Sequence, residues 1–231
     1  MRQGLYKGIL LNISPQSHLH LIYRNVEPHF QQILRKHINK GDTVFDIGAN
    51  IGYVSTAMSK LVGQDGKVFA FEAVPMTAEA FTENIKLNNC TNIQLIQKAL
   101  SDKVGKVTFR IPDGGENHSM ASMMWHKSDK DTINVSVDTI AIDQDEKLKL
   151  LTPSFIKIDV EGAEGLVIKG MQELITKSCP VIFIECSKAG RNVVWEIMKK
   201  LNYGCFLAHD LSNEIIDFDK YIHNDFMWLP H

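Results

Sequence analysis

The chain has 231 residues, 44% hydrophobic and 23% charged, the balance of a globular protein long enough for one sizeable core. Its 25 basic and 27 acidic residues are interspersed and leave a formal net charge of -2, which offers no phosphate-tracking surface and argues against a nucleic-acid partner. Cys90, Cys179, Cys186 and Cys205 lack metal-ligand spacing, and the longest early apolar run, Gly8 to Ile13, is too short to span a bilayer, so the expectation is a cytoplasmic chain with reduced thiols and no membrane partner.

In chain order, residues 1–40 read as an appendage made of a short hairpin and a helix, the helix starting at Glu27 and Pro28 and stopped by Gly41. From residue 41 to 231 strand and helix alternate as one domain. VFDI ends at Ile47, a helix runs from about Tyr53 to Leu61, KVFAFE ends at Glu72, and a helix runs from about Met76 to Asn88. Ile93 to Ile96, Lys106 to Ile111 and Ile133 to Val137 follow as strands, the last two with the alternation of half-exposed strands. Then come FIKIDV, a helix from about Ala163 to Thr176, VIFIE, a helix from about Asn192 to Leu201, and strand-like ends at Cys205 to His209 and Phe226 to Pro230. This order predicts an α/β fold with a single doubly wound, mostly parallel, seven-stranded sheet. The segment from Pro112 to Asp131, rich in Gly, Ser and Met, reads either as a mobile cover or as a loop anchored by Trp125 and its methionines.

FDIGANIGY, from Phe45 to Tyr53, is a buried strand running into a glycine-bearing turn and a helix, the place where open α/β sheets bind ligands. Gly48 and Gly52 are expected to let the backbone approach a ligand, so that a branched side chain at Gly48 blocks the ligand and leaves the protein folded. A dinucleotide fingerprint fails, because Asn50 and Tyr53 stand where its later glycines belong, and Asp46 would face a pyrophosphate. Glu72, ending the next strand, can accept hydrogen bonds from both hydroxyls of a ribose. Together with FAFEAVP, KALSD and IKIDVEGAE, these segments resemble the FkbM-type methyltransferase family over roughly residues 40 to 190. The resemblance implies a Rossmann-like class I methyltransferase fold and S-adenosylmethionine as cofactor. By it, Asp46, Gly48, Asn50 and Gly52 line the methionine side, Glu72 takes the ribose, the turn of Ala99, Leu100 and Ser101 lies by the adenine, and Ala49, Tyr53, Ala73 and Asp159 belong to the cofactor site.

Methyl transfer from a sulfonium is an in-line displacement, so the protein must place the acceptor, exclude water and, for a hydroxyl, remove a proton. Asp159, Glu161, Glu164 and Glu185 are expected around one crevice at the strand ends, where they raise one another's pKa; Asp159 and Glu161 lead as catalytic candidates, with Glu185 and the loop residue His118 beside them. For Glu164 the helix-terminal role competes. Asp159 and Glu185 also stand where catechol-type O-methyltransferases hold a divalent cation, but Cys186 and Ser187 occupy the place of a further oxygen ligand, so no metal is expected. The chain lacks an Asn/Asp-Pro-Pro-Tyr/Phe segment, which favours oxygen over nitrogen as acceptor. The expected activity is O-methylation of a hydroxyl on a small sugar-like or natural-product-like molecule. A carboxylate O-methyltransferase, an N-methyltransferase and a non-catalytic nucleoside-binding domain are the alternatives, and neither acceptor nor oligomeric state is legible.

Overall fold

The computed structural model describes residues 4–12, 27–112, 132–188, 190–221 and 224–231. Of the loop predicted from Pro112 to Asp131, Pro112 ends a strand and residues 113–131, with His118, lie outside the described residues, as does most of the stretch read as an N-terminal hairpin; residues 4–12 hold a 3-10 turn at Gly4–Tyr6. Strands β1 (Thr43–Ile47), β2 (Lys67–Phe71) and β3 (Ile93–Ile96) alternate with helices α2 (Tyr53–Val62) and α3 (Pro75–Leu87), after an N-terminal helix α1 (Pro28–His37). Pro75 opens α3, where its missing N–H costs nothing, and Gly63, with φ 70°, ends α2. The second half contributes β7 (Phe155–Ile158), α4 (Glu164–Lys169), α5 (Gln172–Ser178), β8 (Val181–Glu185), α6 (Arg191–Lys200), β9 (Tyr203–Leu207), β10 (Asp210–Glu214) and β11 (Asp225–Pro230).

The main sheet has eight strands in the order β10-β9-β11-β8-β7-β1-β2-β3. Neighbours from β8 to β3 are parallel, and β11 inserts antiparallel between β8 and β9. The expected class holds, and the strand count changes in two ways. The exposed hairpin partner β10 joins the edge. The segments at Lys106 and Ile133 leave the sheet: β5 (Gly105–Pro112) and β6 (Thr132–Ile140) pair with each other and with the short β4 (Ala99–Leu100) as a separate three-stranded sheet. Their alternation explains this, since Lys106, Thr108 and Arg110 are exposed while Val107 and Phe109 turn inward, a pattern unsuited to a strand covered on both faces.

Two cores flank the main sheet. Phe45, Ile47, Ile156 and Ile158 point to the face covered by α4, α5 and α6, while Val44, Phe155, Phe183 and Met227 point to the face covered by α1 and α2. The N-terminal helix therefore packs Phe30, Ile33 and Leu34 into the same core as β1 and β7. The single helix expected from Ala163 to Thr176 is two, broken at Gly170. There the backbone passes so near Ser101 that an added Cβ would stand 1.9 Å from its carbonyl oxygen, joining the main sheet to the smaller one.

Gly48, at the end of β1, has φ 76°, and a Cβ there would lie 1.7 Å from the carbonyl oxygen of Asp159. This corrects the expectation that a side chain at Gly48 would merely block a ligand: it would drive β1 and β7 apart. Gly48→Ala should cost more than the roughly 1–2 kcal/mol of left-handed strain alone, seen as a lowered urea midpoint. A midpoint equal to wild type would show that the strand ends are not so closely joined.

Candidate active site

The strand order reverses direction between β1 and β7, and at such a point the connections diverge and leave a crevice. A cleft of about 400 Å³ opens there. Gly48, Asn50, Glu72, Ala73, Asp159 and Glu161 line one part of it, and Ala99, Leu100 and Ser101 with Val107 and Phe109 of β5 line another.

Glu72 follows β2 directly. Its Oε2 accepts a hydrogen bond from the Asn50 N–H and its Oε1 one from the Val74 N–H, both at 2.9 Å. These bonds fix the carboxylate and leave each oxygen a further lone pair. Burial pushes the acid up to about 7, against the pull of the two backbone donors. Asn50 has φ 50°, a left-handed conformation that asparagine tolerates better than most residues, which accounts for its standing among glycines in this turn.

Beneath the cleft lies a buried ionic group. Asp46 and Lys157 are register partners on β1 and β7, and the two-residue period of a strand turns both toward the face covered by α2. Asp46 is fully buried, accepts a hydrogen bond from Ser55 Oγ on α2, and has Lys157 Nζ 3.6 Å from its Oδ1. The same ammonium is 3.1 Å from Asp159 Oδ2 and 3.4 Å from the Gly48 carbonyl oxygen. Burial alone would lower the Lys157 pKa, but Asp159 and Asp46 outweigh it and hold the ammonium above its ordinary range. Burial raises Asp46, with Lys157 and Ser55 opposing.

Other carboxylates gather beyond Asp159. Glu185 at the end of β8 is opposite Asp225 at the start of β11. Partial burial, then Asp159 and Asp225, push Glu185 up to about 8. Glu161, at φ 50° in the turn after β7, is raised by desolvation and by Asp159 and Glu164. Glu27 accepts a 3.4 Å hydrogen bond from the Tyr53 hydroxyl and is raised by burial, with Asp159 and Asp225 adding to it against Lys157.

The predicted residues therefore divide. Gly48, Asn50, Glu72, Ala73, Ala99, Leu100, Ser101, Asp159 and Glu161 meet at the cleft. Asp46, Ala49, Gly52 and Tyr53 stand behind its wall: Ala49 packs with Ala70 and Phe81, Gly52 caps α2 where an added Cβ would stand 2.8 Å from the Phe81 ring, and Tyr53 turns to Glu27 and Tyr6. Glu185 lies beyond the cleft lining. Glu164, for which a helix-terminal role competed with the crevice, takes the helix-terminal place: it is buried in the first turn of α4, accepting from the Gly162 N–H at 2.8 Å and from Ser187 Oγ at 3.2 Å. Sequence reasoning missed Lys157, Glu27 and Asp225; the i, i+2 spacing of Lys157 and Asp159 was the available signal for the first.

The pattern of the methyltransferase FkbM domain matches residues 46–218, well over half of the chain. The chain belongs to the FkbM methyltransferase family. With the family comes S-adenosylmethionine as methyl donor. A hexuronic acid methyltransferase, AglP, of Haloferax volcanii is 31% identical over 141 residues, covering 61% of this chain and 54% of that protein. Methyltransferase 1 of Beauveria bassiana is 27% identical over 149 residues, 56% of this chain and 58% of its own length. The chain thus spans a little over half the length of these relatives. The solved methyltransferase FkbM of Methylobacillus flagellatus superposes with a TM-score of 0.53 at 16% identity, over 81% of this chain and 43% of that one. A S-adenosylmethionine-dependent O-methyltransferase of Thermotoga maritima gives 0.54 at 12%, over 98% and 70%. At such identities the structures speak for the fold. No helix among the described residues is long and apolar enough to cross a membrane.

Removing the cation from a buried ion pair typically costs about 3–5 kcal/mol. In Lys157→Met the loss should grow with pH. Asp46 then stays buried only by keeping its proton, which the unfolded chain releases above about pH 4, so the folded state loses ground as pH rises. Urea melts at about pH 5 and pH 8 measure this; a variant as stable as wild type at both would remove the ionic group from the account.

Proposed function

We propose that this chain transfers a methyl group from S-adenosylmethionine to a hydroxyl of a small, sugar-like or natural-product-like acceptor. The observation that carries the cofactor site is Glu72: a carboxylate fixed by two backbone donors, with lone pairs left over, on a cleft continuous from Gly48 to Ser101. That geometry suits the two hydroxyls of a ribose, with the Gly48–Asn50 backbone toward the methionine end and Leu100 beside the adenine. When bound, the cofactor supplies the electrophilic methyl. Everything else falls to the chain's own groups: Asp159, held by Lys157, orients the acceptor, and the Glu185 carboxylate takes the hydroxyl proton. Glu185 stands next to Asp159 at the adjoining strand end, since Ile158 and Ile184 are register partners on β7 and β8. The Haloferax protein, whose name specifies a hexuronic acid, supports the sugar-like class.

Calorimetry with S-adenosylhomocysteine tests the cofactor site. Only ionised Glu72 serves fully as acceptor, so affinity should fall about tenfold from pH 8 to pH 6, following the ionised fraction of an acid titrating near 7. Glu72→Ala should weaken binding about ten- to a hundred-fold and abolish that pH dependence. Equal binding by wild type and Glu72→Ala would overturn the placement.

Labelled methyl transfer against panels of sugars, phenols, carboxylic acids and amines tests the acceptor. The expected product is a methyl ether, and Glu185→Gln should lower turnover about a hundred-fold or more while S-adenosylhomocysteine affinity is kept. Label found on nitrogen or carboxylate would overturn the hydroxyl assignment.

A further inference from the structure

The family match begins at residue 46, yet residues 4–12 are tied to the turn that follows β1. The tie is a pair of asparagines four residues apart, Asn84 on α3 and Asn88 at the cap that follows its last residue, Leu87. Asn88 Nδ2 donates to the Leu10 carbonyl at 2.7 Å, and Asn88 Oδ1 accepts from the Leu10 N–H at 3.0 Å. The side-chain amide thus pairs with the backbone as a neighbouring strand would. Asn84 Oδ1 accepts from the Asn12 N–H at 2.6 Å. The same Asn84, fully buried, donates through Nδ2 to the Ile51 carbonyl at 2.9 Å, in the turn between Gly48 and Gly52. On the other flank, Tyr6 and Ile9 are fully buried and pack on Ala57, and the Tyr6 ring meets the Tyr53 ring edge-on at 5.4 Å between centroids. Leu5 N–H also donates to Gln31 Oε1 of α1 at 2.6 Å.

We propose that Asn84 and Asn88 are positioning residues for methyl-donor binding, making residues 9–12 a clasp on the Gly48–Gly52 turn. The inference rests on the cofactor placement above. The clasp holds Ile51 from one side through Asn84 and the first turn of α2 from the other through Tyr6. The turn must keep Asn50 left-handed and aim its N–H at Glu72, so whatever steadies Ile51 also steadies the carboxylate meant for the ribose. Because the segment and the cleft share this turn, each stabilises the other. Filling the cleft must then tighten residues 9–12, and loosening residues 9–12 must weaken the donor by the same factor.

The test uses the full chain and two substitutions outside the cleft. Asn88→Ala removes the pairing with Leu10. Asn12→Pro removes the N–H from which Asn84 accepts and, with it, the 2.8 Å bond from Asn12 Nδ2 to Glu83 Oε2, at an exposed position. Hydrogen exchange at residues 9–12 and calorimetric affinity for S-adenosylhomocysteine are measured together. In wild type, the ligand should slow exchange at residues 9–12 as well as in the turn. Both variants should speed that exchange and lose affinity about fivefold or more, the lower end of ordinary coupling between sites. If wild type binds S-adenosylhomocysteine but residues 9–12 exchange at the same rate with and without it, the clasp is overturned. Variants that free the segment and keep wild-type affinity overturn it equally. Failure of wild type to bind at all would contradict the cofactor placement instead, which separates the two claims.

Discussion

The arrangement depends on one buried cation. Lys157 sits where β1 and β7 run side by side, with Asp46 across the register, Asp159 two residues on, and the Gly48 carbonyl above it. A lysine in that position would be costly alone, and the two carboxylates would be costly without it. Together they fasten the divergence point of the sheet at the level where the cleft begins. The ends of two strands, the start of α2 through Ser55, and Asp159 on the cleft are thereby set by one charge. Gly48 completes the joint by letting the two backbones touch.

From that point the site divides by chemistry. Toward β2 and the smaller sheet, the cleft offers one fixed carboxylate, the apolar side chains of Leu100, Val107 and Phe109, and a charged margin of Lys98, Asp102, Lys103 and Lys106. Toward β8 and β11, desolvation first and the crowding of carboxylates around Asp159 second raise Glu185 and Glu161. A methyl donor lying across the strand ends would carry its sulfonium from the first region to the second, where a raised carboxylate can take a proton. The same fold serves many reactions, and on the proposed reading the acceptor is specified by what surrounds that second region.

Much of this was legible in the residues. The alternation of apolar strands with helical segments carried the class of fold, and Glu72 and the FDIGANIGY turn were found because strand ends at a switch point are where ligands bind. The errors have physical causes. Asp46 reads as a ligand-facing carboxylate until pairing with β7 puts Lys157 opposite it, and register is a property of two strands that neither one displays. The segments at Lys106 and Ile133 alternate as strands do, but alternation does not say which sheet a strand joins; their exposed Lys106, Thr108 and Arg110 did point away from the covered centre. Gly170 looks like a tolerated helix residue until Ser101 passes beside it.

The most direct test of the central claim is a crystal structure with S-adenosylhomocysteine bound. The account predicts both ribose hydroxyls within about 3 Å of the Glu72 carboxylate oxygens, the adenine against Leu100, and the sulfur turned toward Asp159. A ligand bound elsewhere on the chain, or one whose ribose leaves Glu72 untouched, would contradict it.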